Sequence, residues 1–186
     1  MVKPLQQVYY PLPVPTEPPG LPRYLEEELE RIKNALYAEP VSLSVSDTGT
    51  ITIDPTPGYE RLFDDGTQTP TWEVPGGSFD NTTGEWTNPQ DGLYSVGLQL
   101  PVDAFGPGNK TYFASTRITQ VRDSAIINQW EATDGGDDDV PLSVSQTGLV
   151  FLQAGDVLYT EAQAVHEQFT GTATYSVGWQ ILRTSA

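Results

Sequence analysis

From Val41 onward, apolar side chains return at every second residue. Val41, Leu43 and Val45 alternate with serines, and Ile51 and Ile53 alternate with threonines. Tyr94, Val96, Leu98, Leu100 and Val102 keep the same period, as do Tyr175, Val177, Trp179 and Ile181. Successive side chains on a strand point to opposite faces, so this period demands strands with one buried face. Further β-rich runs cover Lys110–Arg122, Ser124–Ala132, Leu142–Val144, Leu149–Gln153 and Val157–Val165. Turn signals separate them at Asp47-Thr48-Gly49, Gly106-Pro107-Gly108-Asn109, Asp134-Gly135-Gly136-Asp137 and Ala154-Gly155-Asp156. Many short strands with regular turns predict an all-β sandwich or barrel. One echo stands out: Val41–Gly49 and Val140–Gly148 share a Leu-Ser-Val-Ser-x-Thr-Gly core, which reads as two strand–turn elements with similar local chemistry.

The first forty residues follow other rules. Seven of the sixteen prolines lie in residues 1–22. Proline fixes φ and lacks an N–H, so this stretch is neither helix nor central strand. It reads as an extended arm of polyproline character. Val8, Tyr9, Tyr10, Leu12 and Val14 make the arm apolar and suit it to lie on another protein. A helix is predicted over 23–39. Pro22 precedes it, glutamates 26, 27, 28 and 30 crowd its start, Arg31 and Lys33 come late, and Pro40 stops it. Leu25, Leu29, Ile32 and Leu36 are spaced four, three, four, which is a coiled-coil seam. Leu at a with Ile at d leans to trimers or tetramers. Two heptads need help from the following domain, residues 40–186.

Composition closes off several classes. Lys+Arg 9 against Asp+Glu 25 gives −16, which opposes phosphate backbones and anionic membrane surfaces. With no Cys and one His, disulfides, thiolate zinc sites, cysteine nucleophiles and multi-histidine metal sites are excluded. No apolar run reaches the ~20 residues of a membrane helix, and no secretion signal is expected at the N-terminus.

Candidate chemistry is thin. His166 lies in Ala-Val-His-Glu-Gln without a nucleophile elbow, so it reads as a strand-end histidine. Asp134, Asp137, Asp138 and Asp139 could offer oxygens to calcium, but their spacing fits no EF-hand loop and they read as a solvated acidic loop. Asp64-Asp65-Gly66 reads as a turn. Trp86 and Trp179 are expected in the core, leaving Trp72 and Trp130 as the candidate sugar platforms. Asn81-Thr82-Thr83 and Asn109-Lys110-Thr111 match the glycosylation acceptor by chance. No catalytic residue, cofactor or metal site is expected.

Three stretches carry a family resemblance. Phe79-Asp-Asn-Thr-Thr-Gly-Glu-Trp86 with Pro89-Gln-Asp-Gly-Leu-Tyr-Ser-Val96, Leu149-Val-Phe-Leu-Gln-Ala-Gly-Asp-Val-Leu-Tyr159 and Tyr175-Ser-Val-Gly-Trp-Gln-Ile-Leu-Arg183 come in order over residues 59–186. Together they resemble the trimeric jelly roll shared by tumour necrosis factor and the globular heads of the complement first component. The resemblance implies a ten-stranded jelly-roll sandwich that trimerises about an apolar axis, with Tyr94, Phe113 or Tyr159 as axis candidates. Arm, helix and jelly-roll head together also resemble virion proteins of tailed bacteriophages. That resemblance implies a non-enzymatic homotrimeric fibre or capsid decoration on the outer surface of the particle. Its arm would dock on capsid, portal collar or tail proteins. The alternative is a receptor-binding head that holds a host surface glycan. Neither nucleic acid nor membrane is an expected partner.

Overall fold

The computed structural model describes residues 24–29, 42–56, 58–73, 78–103, 111–137 and 139–185. Residues 24–29 are helical. Eleven strands follow: β1 (Ser42–Asp54), β2 (Glu60–Arg61), β3 (Trp72–Glu73), β4 (Ser78–Asp80), β5 (Glu85–Thr87), β6 (Gly92–Val102), β7 (Thr111–Arg122), β8 (Ala125–Asp137), β9 (Leu142–Leu152), β10 (Val157–His166) and β11 (Gly171–Ser185). Four long strands form one layer in the order β1-β11-β6-β9, all antiparallel. A second layer runs β4-β5-β10-β7-β8. The layers join at one corner, where the end of β1 pairs in parallel with β10, Ile53 opposite Ala164.

The period of two explains what lies between them. Leu43, Val45, Ile51 and Ile53 of β1, the Tyr94–Val102 row of β6, and Val177, Trp179 and Ile181 of β11 are all buried. The opposing layer contributes small inward residues, Ala114 and Thr116 on β7 and Thr160, Ala162 and Ala164 on β10. Small residues on one layer leave volume for Trp179, Tyr94 and Trp86, as close packing requires. Trp86 meets Tyr94 edge-on at 6.0 Å.

One long connection also enters the core. Phe63 stacks on Trp179 at 6.0 Å, and Phe79 meets both rings edge-on at 6.4 Å. Phe63 reaches inward from a left-handed backbone, φ 62. Such a conformation is unusual for a bulky residue and persists only where its surroundings hold it. The 81–84 turn does so. Asn81 Nδ2 donates to the carbonyls of Gly66 at 3.1 Å and Gln68 at 2.9 Å. A Cβ on Gly84 would lie 2.2 Å from the Leu62 carbonyl oxygen, so only glycine permits this approach.

Several sequence expectations are corrected. Asp47-Thr48-Gly49 does not turn; it continues through β1 because the Tyr175 ring lies over Gly49, where a Cβ would meet its hydroxyl at 2.8 Å. Leu142–Val144 and Leu149–Leu152 belong to one strand, β9, so the Leu-Ser-Val-Ser-x-Thr-Gly core of each echo copy lies within a strand. Asp134-Gly135-Gly136-Asp137 is no loop but the end of β8, paired with Thr111–Ala114. Phe113 covers Gly135, where a Cβ would fall 2.5 Å from the ring, so the ring supplies the packing that the glycine lacks. Among the described residues there are eleven strands, of which β2 and β3 are two residues long, against the ten that the resemblance implied. The Ala154-Gly155-Asp156 turn forms, with Gly155 at φ 88. The Gly106–Asn109 turn, the arm and helix residues 30–39 lie outside the described residues.

Truncating Trp179 to Ala should destabilise the domain by about 3–5 kcal/mol, the usual cost of emptying a large aromatic site. Urea unfolding of the purified variant measures it, and an unchanged midpoint would show that Trp179 is not the centre of the core.

Candidate functional site

The outward side of the β1-β11-β6-β9 layer is the feature with functional promise. Register aligns Ser44, Gln180, Gly97 and Thr147 in one row and Ser46, Gly178, Gln99 and Ser145 in the next. Thr48, Thr50 and Thr52 continue the β1 column, opposite Ser176, Thr174 and Thr172 of β11. The outward columns of β1 from Ser44 to Thr52 and of β11 from Thr172 to Leu182, and all of β6 and β9, carry no charged residue; acidic groups reach this face only at its Thr48–Thr52 end, where Asp47 lines a cleft and Asp103 accepts from the Thr174 hydroxyl. In a chain of −16 this neutrality is specific to one layer.

The outward side of the other layer is a charged ladder. Arg117 donates to Glu161 Oε2 through Nε at 2.9 Å, approaches Glu131 at 3.9 Å and lies 3.9 Å over the Tyr59 ring. Arg61 pairs with Glu85 at 3.3 Å and lies 3.5 Å over the Tyr159 ring. These cations are held in the plane of the sheet by both carboxylates and rings.

An apolar band crosses one end of the neutral face. Leu182 and Leu149 flank Ser95, and Leu93 faces Phe151 in the adjoining row. Leu149 is 65% exposed and Phe151 56%, large values for strand residues of that size. Ile126 and Ile127, also exposed, lie at the start of the edge strand β8. A polar chain links the two strands: Asn128 Nδ2 donates to Gln120 Oε1 at 2.8 Å, and Gln120 Nε2 reaches the Phe151 carbonyl at 3.4 Å. β1 begins at Ser42, opposite Leu182, so the chain enters the sheet beside the band.

The sequence-derived site residues distribute unevenly. Leu25 and Leu29 are helical and exposed. Ile32, Leu36 and the arm residues Val8, Tyr9, Tyr10, Leu12 and Val14 lie outside the described residues. Of the implied axis aromatics, Tyr94 is removed by its burial, while Phe113 and Tyr159 lie on the outward side of the other layer. Tyr94 is fully buried with its hydroxyl donating to the Gln90 carbonyl at 2.8 Å, Tyr159 lies under Arg61 on the charged side, and Phe113 covers Gly135 there. Trp130 packs half-buried against the core and is not an open platform. Trp72 lies in β3, its side chain outside the described residues. His166 is buried at the end of β10, its Nδ1 accepting from the Gln168 N–H at 3.2 Å. Asn81 uses its amide to hold the 66–68 backbone, so its glycosylation would break that contact. Asp134 accepts from Ser143 N–H at 3.1 Å, tying β8 to β9. Among the described residues no group of acidic, His or Cys side chains is placed to hold a metal ion.

Sequence reasoning missed a cleft at the other end of the neutral face. β1 carries β3 at Leu43–Ser44 and β10 at Ile53–Asp54 along the same edge; between them that edge has no ladder among the described residues. The 64–69 segment runs past this gap and bounds a cavity of about 560 Å³. Ser46, Asp47, Thr48, Gln99 and Ser176 form its floor, and Thr67, Gln68 and Thr69 its wall. Asp47 also lines an adjoining cavity of about 320 Å³ with Asp64, Asp65 and Tyr175. Burial pushes the Tyr175 phenol well above its ordinary range, and the Asp47 carboxylate, 3.4 Å from its hydroxyl, adds to the shift. The Thr67 hydroxyl and N–H hold the Asp65 carboxyl below the usual range.

The Gly155-Asp156 turn also hides a hub. Asp156 is fully buried and accepts from Arg122 Nε at 2.6 Å and NH2 at 2.7 Å, Gln120 Nε2 at 2.7 Å and Gln153 N–H at 2.9 Å. Burial raises its pKa, but the Arg122 hydrogen bonds, with those of Gln153 and Gln120, outweigh that and leave it lowered.

No family model matches the chain, and no curated protein matches its sequence. Solved structures do match. The globular domain of the zebrafish complement 1qA protein superposes with TM-score 0.51 at 15% identity, over 75% of this chain and 94% of that one. The Eiger TNF from S. frugiperda superposes with TM-score 0.50 at 14% identity, over 79% and 94%. At such identities the likeness establishes the fold alone: the head has the jelly roll of the tumour necrosis factor and complement globular-head structures.

A folded-state pKa below the unfolded value means that Asp156 contributes stability above the unfolded pKa, about 3.9, and loses it as pH falls through the folded pKa. Asp156→Asn should therefore lower Tm at neutral pH and flatten the loss of Tm on acidification. Melting curves from about pH 7 to about pH 2 on both proteins check this.

Proposed function

We propose that this chain is a structural, non-enzymatic protein of a tailed-bacteriophage particle. It is a homotrimeric short fibre or decoration, anchored on capsid or tail by residues 1–22, with its jelly-roll head outward. The observation that carries the assembly reading is the neutral sheet face with its apolar band. Copies that each carry −16 repel wherever their charged surfaces meet, so contact is cheapest through a face without charge. The band supplies the apolar area such a contact needs. A closed ring of three joins unlike surfaces, and the β8 edge with Ile126 and Ile127 is the complement available to the band of the next copy. The Leu25–Leu29–Ile32–Leu36 seam leans to trimers or tetramers, which includes this number of chains, and it precedes the strand that enters beside the band.

The virion role rests on the arm. A proline-rich apolar segment loses less chain entropy on docking than an ordinary tail, and three arms on one trimer multiply a weak single contact. The non-enzymatic reading is supported by His166, which is buried at the end of β10 with its Nδ1 accepting from the Gln168 N–H.

Sedimentation at micromolar concentration should give a trimer for the full chain. Leu149→Glu with Phe151→Glu should give folded monomers, because each contact would then bury new like charges. A wild-type monomer would overturn the assembly reading. Deleting residues 1–20 should leave the trimer intact and abolish its incorporation into particles; full incorporation of the truncated protein would overturn the docking role of the arm.

A further inference from the structure

We propose that the cleft between β1, β11 and the 64–69 segment binds a neutral or amine-bearing oligosaccharide. The cavity, about 560 Å³, lies within the usual range for small-ligand sites. Its chemistry is unlike that of a typical apolar pocket. The hydroxyls of Thr48 and Ser176 and the amide of Gln99 line it, and each both donates and accepts, while the Thr67 hydroxyl is already bonded to Asp65 and Gln68. A polyhydroxylated ligand matches that lining group for group, whereas an apolar ligand would strand it. The free edge of β1 between its β3 and β10 ladders adds main-chain groups to the same wall.

Gln68 supplies the second observation. It lines the cleft, yet it is only 4% exposed. Its Nε2 donates to Asp65 Oδ1 at 2.5 Å, while its Oε1 is buried without a hydrogen-bond partner among the described residues. An orphaned buried acceptor is costly; this one is shut off from the cleft as the side chain stands, so a bound O–H or N–H relieves the cost only by drawing the Gln68 amide round toward the ligand. The charge of the walls then selects among sugars. Asp47 lies in the floor, and Asp64 and Asp65 line the adjoining cavity. Arg61 is the cation of that second cavity, and it is already engaged by Glu85 and the Tyr159 ring. Sialylated, uronic and phosphorylated glycans are repelled, whereas neutral or amino sugars are admitted.

The cleft belongs to a single chain. Gly178 at its floor is four residues along β11 from Leu182 of the apolar band, about 13 Å at strand rise. The inference therefore depends neither on the trimer nor on the particle.

Titration calorimetry on the full chain tests it with three probes: chitotriose, its de-N-acetylated form and sialyllactose. The first two should bind and the third should not. Gln68→Leu should weaken binding about tenfold, the effect of losing one well-placed hydrogen bond. Gln68 also anchors Asp65, so Thr48→Val, a methyl-for-hydroxyl change on the sheet surface, serves as the second variant and should weaken binding several-fold. Leu149→Glu with Phe151→Glu should leave binding unchanged. The inference is overturned if neither chitotriose nor its amine form binds, if sialyllactose binds equally well, if Thr48→Val retains wild-type affinity, or if a basic tripeptide binds this chain where the sugars do not.

Discussion

The register of β11 between β1 and β6 is the constraint on which this molecule turns. It sets Val45 opposite Trp179 opposite Leu98, all buried, and Ser46 opposite Gly178 opposite Gln99, all outward. A slip of one residue would exchange the two sets, taking Trp179 out of its contacts with Phe63 and Phe79. Core and neutral face are thus two sides of one decision. Selection for burial on one side of the strands leaves the other side free to carry serine and threonine, whose β propensity needs no charge for support.

Charge is partitioned as firmly as hydrophobicity. The β10–β7–β8 layer keeps its arginines between carboxylates and over tyrosine rings, while the β1–β11–β6–β9 layer turns no charge outward along its main span. Exposed ion pairs contribute little to stability, so the ladder is better understood as a surface that stays solvated. A neutral face in so acidic a chain is where a second copy or an uncharged ligand can approach. The apolar band and the polar cleft lie at opposite ends of that face.

Among the described residues, left-handed backbone at non-glycine positions occurs at Asp123 and Ser124 in the β7–β8 turn and at Phe63 near the cleft. Phe63 holds a left-handed backbone so that its ring can stack on Trp179, and Gly84 yields space for the Leu62 carbonyl. The connection that follows, pinned by Asn81, becomes the cleft wall at Thr67–Thr69. Core packing therefore positions the wall, and the wall residues need no contact with each other across the gap.

Much of this was legible in the chain itself. Alternation at Tyr94–Val102 and Tyr175–Ile181 determined strands, their buried faces and the sandwich class, because period two is a local property of the backbone. The three motif stretches pointed to the jelly roll. Turns were less legible: Asp47-Thr48-Gly49 and Asp134–Asp137 carry turn chemistry but lie inside strands, because the rings of Tyr175 and Phe113 cover their glycines from elsewhere in the chain. The same holds for sites. Leu25 and Leu29 could be picked out from spacing alone, since heptads are local. The neutral face, the band joining Leu182, Leu149 and Phe151, and the cleft of Asp47 with Gln68 could not. Each is assembled from strands that are distant in sequence and adjacent only through the ladder, so tertiary pairing alone decided which serines, leucines and acids would share a surface.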